Sequence, residues 1–186
     1  SLREVDKDAK RSTVEALLKF GGFPEPFFDQ SEKELRRWQM ERKQQVLKDD
    51  LRDLERVDEV ALISRMVDHL PSLVGSPLSI NSIREDLQLA HSTVVNWLNI
   101  LERLFVIFRI PPFGSPKIRA VKKEMKCYLW DWALVADEGA RFENFVASQL
   151  LKYCHFIENT EGYPMELRYI RDTDKREIDF VVLKDG

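Results

Sequence analysis

The chain is short of the residues on which several kinds of protein are built. Two cysteines, Cys127 and Cys154, in 186 residues cannot staple a disulfide scaffold or supply a four-thiolate zinc site. Both lie among apolar neighbours and are expected to be buried, reduced thiols. The three histidines, His69, His91 and His155, have no ligand partners at metal spacing. No apolar run approaches the roughly 18 residues that cross a bilayer, and no secretory leader pattern is visible, so the expectation is a cytoplasmic protein with no membrane partner. A formal net charge of −3 gives no global attraction to nucleic acid or anionic lipid, so any such contact has to come from a local patch. G-x-x-x-x-G-K-[ST], a nucleophile elbow and H-E-x-x-H are all missing, which leaves these residues without a nucleotide-binding loop or a zinc-protease helix.

What is present is ordinary globular material, 44% hydrophobic and 33% charged, enough for one large domain or two small ones. Val14, Leu17 and Leu18 predict a helix over 12–20, ended by Gly21-Gly22; Phe23-Pro24-Glu25-Pro26 is expected as an extended connector. Residues 33–56 form a glycine-free helix pattern with Leu35, Trp38, Leu47, Leu51 and Leu54 at helical spacing and balanced charges between them. A further helix over 59–74 stops at Gly75-Ser76-Pro77. Asn81 is expected to cap a short helix running to Leu89, and a tight turn leads to a longer one, Ser92–Phe105. The buried stripe of the longer helix is Val94, Trp97, Leu98, Leu101, Leu104 and Phe105. Residues 79–105 are thus predicted to form a helix-turn-helix. Strands at 106–110 and 126–131 behind it complete a winged helix. A helix over 140–154, burying Phe142, Phe145, Val146 and Leu150, precedes a hairpin of strands 165–170 and 176–182. The start at Ser1-Leu2 and the strand running into Gly186 are both expected to be cuts in a longer chain.

Two groups of residues could carry chemistry. On the helix-turn-helix, Ser92, Asn96, Asn99 and Arg103 form the polar face that would meet a DNA groove. The wing adds Lys117, Arg119, Lys122, Lys123 and Lys126 against Glu124 alone, a cluster that would grip phosphates and make binding strongly salt-dependent. The second group is acidic. Period-two alternation puts Glu177 and Asp179 on one face of the last strand and Ile178, Phe180 and Val182 on the other. Glu143 sits on the preceding helix between Phe142 and Phe145. Helix and strand carboxylates that meet can hold Mg²⁺ through hard oxygen ligands and activate water against a phosphodiester. The competing reading pairs Glu177 and Asp179 with Arg168, Arg171 or Arg176 on the same hairpin.

One set of residues, in order, carries a resemblance: Gly21-Gly22-Phe23-Pro24-Glu25-Pro26, Trp38, Asp50-Leu51-Arg52-Asp53-Leu54, Thr93-Val94, Trp97-Leu98, Leu101-Glu102, Lys126-Cys127-Tyr128-Leu129-Trp130-Asp131, Arg141-Phe142-Glu143-Asn144, and Arg176-Glu177-Ile178-Asp179-Phe180. The chain resembles the C-terminal region of the bacterial and archaeal AAA-type ATPases that carry a C-terminal domain of unknown function. The resemblance implies an upstream ATPase module using ATP and Mg²⁺, with residues 1–30 its trailing helical lid. It implies a helical bundle with a winged helix over 31–125 (helix-turn-helix 79–105, wing 106–125) and a truncated restriction-endonuclease-like α/β domain over 126–186. In such a domain Glu143 and Asp179 match the helix Glu and strand Asp that bind metal. The expected Glu-x-Lys strand is not among the seven residues after Asp179. Arg84 and Ala90 stand where DNA-reading elements often have a small residue and a hydroxyl cap.

The expected fold class is therefore mixed α/β (α+β), mainly helical in its first half. The expected function is a nucleic-acid-binding or coupling module of a larger ATPase, with no ATPase activity and no cofactor of its own. The alternatives are a protein-interaction or oligomerisation platform, and a metal-dependent nuclease when the chain is full length. Candidate partners are double-stranded DNA, the upstream ATPase module and a second copy of the chain.

Overall fold

The computed structural model describes residues 7–47, 57–114, 125–171 and 176–185. Helix α1, Lys7–Phe20, stops at Gly21, whose φ of +83° belongs to the left-handed region that glycine enters without cost. Residues 24–29 are not an extended connector but a short helix, α2, Pro24–Asp29. Pro24 stands at its first turn, where the missing N–H would be unpaired anyway and the fixed φ already suits a helix. Helix α3, Glu32–Gln45, is capped by the Ser31 hydroxyl, which accepts from Glu34 N at 3.4 Å. Glu32 and Glu34 lie in its first turn and Arg42 and Lys43 in its last, matching the helix dipole. The expected continuation through Asp50-Leu51-Arg52-Asp53-Leu54 lies outside the described residues.

Helix α4, Val57–His69, runs into a tighter turn over Leu70–Leu73, where Pro71 cannot extend the helix. Helix α5 is Ile80–Leu87, and Ser79, not Asn81, caps it, its hydroxyl accepting from Ser82 N. After a turn at Gln88, helix α6 covers His91–Arg103. Val94, Trp97, Leu98 and Leu101 are buried as expected, but Phe105 is 63% exposed. The helix ends before Phe105, which sits at φ +53° and so turns its ring off the stripe.

Strand β1, Ile107–Ile110, pairs antiparallel with β2, Lys126–Leu129, setting Ile107 opposite Leu129 and Ile110 opposite Lys126. The expected boundary between 125 and 126 thus falls inside a hairpin. Helix α7, Glu138–Glu161, is longer than predicted and is capped by Asp137 at one end and by Gly162, φ +74°, at the other. Its buried face is Asn144, Ala147, Ser148, Cys154 and Ile157, while Phe142 is 53% exposed. Strands β3, Met165–Arg171, and β4, Glu177–Lys184, make a second antiparallel pair. The two sheets are tied where Phe113 N donates to Tyr169 O at 2.7 Å and Tyr169 N to Pro111 O at 3.3 Å.

The fold is mixed α+β with a mainly helical first half. One continuous core joins Ile63 and Met66 of α4, Leu70 of the turn after it, the α6 stripe, Ile107 and Ile110, Cys127 and Leu129, Ala147 and Ile157, and Leu167 and Tyr169. Each such buried aliphatic side chain contributes about 1.5–3 kcal/mol. Among the described residues no helix is long and apolar enough to cross a membrane.

Candidate functional site

Strand β2 carries an unusual side chain into the core. Its four residues are all buried, Lys126 among them. A lysine ammonium without partners there would cost several kcal/mol, and its partners are three carboxylates. Lys126 Nζ donates to Asp179 Oδ1 at 2.9 Å and to Glu143 Oε1 at 3.2 Å, and it forms an ion pair with Glu177. Two residues along the strand, on the same face, Tyr128 donates its hydroxyl to Glu143 Oε1 at 2.8 Å. Glu177 also faces Arg171, with Nε 3.7 Å from Oε2.

Helix α7, strand β4 and strand β2 therefore meet at one point. The turn before α5 forms a wall beside it: a Cβ added to Gly75, φ +82°, would lie 2.9 Å from Glu143 Oε2. Burial by itself lowers the Lys126 pKa, but the hydrogen bonds to Glu177 and Asp179 and the charge of Glu143 more than offset it, and the net direction is up. Burial pushes the Tyr128 phenol up, and the neighbouring Glu143 charge pushes it further.

The three sequence-predicted acids, Glu143, Glu177 and Asp179, are thus brought together. Their main partner was not predicted. The sequence groups Lys126 with the basic wing, but it is buried and paired, so it cannot serve a phosphate. The signal was a lysine heading an apolar strand two residues from Tyr128. Of the arginines expected to neutralise the hairpin acids, Arg171 faces Glu177, whereas Arg168 donates to Glu166 Oε2 at 2.6 Å. Hard carboxylate oxygens are the right chemistry for Mg²⁺. In this arrangement, however, they converge on an ammonium, and among the described residues no group of three or more His, Cys, Asp or Glu is disposed to hold a metal ion. The set does not fit a magnesium site as it stands.

The polar face of α6, expected to meet a DNA groove, is less open than predicted. Ser92, Asn96 and Arg103 are exposed, but Asn99 Oδ1 accepts from the Arg109 guanidinium at 2.7 Å, and Arg109 is held by Glu102 at 2.5 Å. Glu85 and Asp86 on the preceding α5 are exposed, Glu85 beside Arg84. The wing residues Lys117, Arg119, Lys122 and Lys123 lie outside the described residues. Cys127 and Cys154 are free and buried, and burial pushes the Cys127 thiol up to about 12, which makes it unreactive.

A second buried cluster anchors the N-terminal helices. The Asp131 carboxylate accepts from Gln39 Nε2 at 2.9 Å and from Ala133 N at 3.2 Å. Burial raises its pKa, against the pull of Gln39 and the Ala133 N–H. Trp132 Nε1 donates to Leu17 O, in the last turn of α1, at 2.7 Å.

Residues 11–140 match the family described as Domain of unknown function (DUF8612). The chain belongs to the DUF8612 family. Residues 138–186 match Domain of unknown function (DUF4143), a domain often found at the C-terminus of AAA-type ATPases. Neither a curated protein nor a solved structure matches the chain. The two matched regions meet at the start of α7. Lys126 and Tyr128 therefore belong to the DUF8612 region, whereas all three carboxylates belong to the DUF4143 region.

Proposed function

We propose that the chain is a coupling module of an AAA-type ATPase, linking an upstream ATPase domain to the DUF4143 region without catalysing a reaction itself. One observation carries this reading: the buried Lys126 ammonium of the DUF8612 region has all three of its carboxylate partners in the DUF4143 region. An ion cluster built across a boundary in this way locks two units together, because removing one side leaves buried charge on the other. The test is hydrogen exchange on the full-length protein with and without a non-hydrolysable ATP analogue. Nucleotide is expected to change protection in β4, and Lys126→Met to abolish that change. No nucleotide-dependent change anywhere in 57–184 would overturn the coupling reading.

Nucleic acid is the load this reading favours, through the basic run Lys117–Lys123 and the exposed Ser92, Asn96 and Arg103. Fluorescence anisotropy with duplex DNA should then give binding that weakens steeply with salt and is lost on charge reversal at Lys122 and Lys123. Cleavage is the competing reading of the same acids. Mg²⁺-dependent cutting of duplex DNA by the full-length protein, absent in Asp179→Ala, would replace coupling with catalysis.

A further inference from the structure

The two buried clusters lie at opposite ends of one short stretch of chain. At the near end Lys126 and Tyr128 hold the carboxylates of α7 and β4. At the far end Asp131 holds α3 through Gln39, and Trp132 holds α1 through Leu17 O. The contact with the glycine turn that ends α1 has no slack. A Cβ on Gly22 would fall 2.3 Å from the Trp132 ring, and one on Gly21 2.9 Å from Asp131 Oδ1. Between the ends the backbone is gripped in the middle. Leu129 N donates to Asn144 Oδ1 at 2.8 Å, and Asn144 Nδ2 donates back to Leu129 O at 2.7 Å. Asn144 is the neighbour of Glu143 on α7, and the same helix meets the Trp132 ring edge-on through Phe145, with centroids 5.2 Å apart. A strand so held cannot shift at one end without moving α7 and the other end with it.

We propose that residues 126–132 are a relay, in which displacement of α1 from Trp132 loosens the Lys126–carboxylate cluster and opening of the cluster loosens the α1 contact. This deepens the coupling reading, on which its biological use rests, but the mechanical statement concerns this chain alone. The six backbone steps from Lys126 to Trp132 span at most about 20 Å, and substitutions more than 7–10 Å apart with no shared partner normally combine multiplicatively in the unfolding constant. The relay requires a departure from that rule.

The test is a double-mutant cycle by urea denaturation, pairing Trp132→Phe with Tyr128→Phe and, separately, with Lys126→Met. Trp132→Phe keeps a ring but deletes the bond to Leu17 O; Tyr128→Phe deletes only the bond to Glu143. The second substitution is expected to cost about fivefold less once the first is present. A control cycle of Trp132→Phe with Ile63→Val is expected to combine within about twofold. A Trp132/Tyr128 cycle that also combines within twofold, or a control that departs as far as the test pair, overturns the relay. If Lys126→Met does not fold, the Tyr128→Phe cycle carries the result. The relay and the coupling reading fail separately. Additive cycles with nucleotide-dependent exchange in β4 intact remove only the relay, whereas coupled cycles with no nucleotide response remove only the coupling reading.

Discussion

Lys126 decides more than any other single residue. Against a well-packed apolar side chain a buried ion cluster gains little, but removing one partner costs about 3–5 kcal/mol because the remaining charges stay buried. Lys126→Met leaves three crowded carboxylates, of which Asp179 is 54% exposed and can rehydrate, so a loss of about 3 kcal/mol is expected. The pH dependence identifies the source. The Lys126 pKa is raised in the folded chain. Its contribution is therefore complete below the ordinary lysine value of about 10.4 and is lost as pH rises through the raised value. Urea denaturation of wild type and Lys126→Met between pH 8 and 11.5 should show a constant gap that narrows above about 10.4. A gap that stays constant to the top of the range places the energy elsewhere. The acids were legible in the sequence because Glu177 and Asp179 alternate with apolar residues in a strand. Lys126 was not, because it closes a basic run that reads as solvent-exposed; only the pairing of β2 with β1 turns it inward.

At the scale of elements, the turn between α5 and α6 offers a direct check. Gln88 occupies the left-handed region at φ +54°, with its N–H directed to Glu85 O and Arg84 O. That conformation costs an L-residue about 1–2 kcal/mol, and glycine there returns most of it, less the extra freedom glycine has when unfolded, about 0.4–1 kcal/mol. Gln88→Gly is expected to stabilise the chain by roughly 0.5–1 kcal/mol and raise Tm by about 2 °C. A lower Tm would mean the turn has a different backbone. Helices α5 and α6 were legible nearly to the residue because their apolar spacing is helical and glycine and proline punctuate what precedes them. Helix α2 was not, because Pro24 and Pro26 suggest an extended chain until Pro24 is seen at a helix start. Helix α7 holds the expected inward residues Phe145, Val146 and Leu150 only partly buried, with Phe142 exposed. Its aromatic residues Phe142, Tyr153 and Phe156 are more than half exposed, while polar Asn144 is buried to clasp Leu129. Hydrophobic periodicity cannot anticipate a polar residue buried for its backbone partners.

The whole molecule poses the question of whether two matched regions behave as one body. All four tryptophans, Trp38, Trp97, Trp130 and Trp132, lie in the DUF8612 region, whereas most of α7, the longest helix described, lies in the DUF4143 region. Tryptophan fluorescence therefore reports mainly the first region, with Trp132 alone touching α7 through Phe145 among the described ring contacts, while far-UV circular dichroism senses the helix and strands of the second. With a continuous core and the Lys126 cluster across the boundary, the two probes should give coincident denaturation curves in the wild type, the mark of a cooperative unit. In Lys126→Met they should separate in a fixed order. A two-stranded sheet is marginal alone, and an isolated helix draws most of its stability from the face it packs. Helix α7 with β3 and β4 should therefore melt first, and the dichroism midpoint should precede the fluorescence midpoint. Separate transitions in the wild type would show that the two regions are not locked. Coincident curves that persist in Lys126→Met would show that the apolar contacts of α7 hold the boundary without the ion cluster. The coupling would then be carried by Asn144, Phe145 and Ala147 instead.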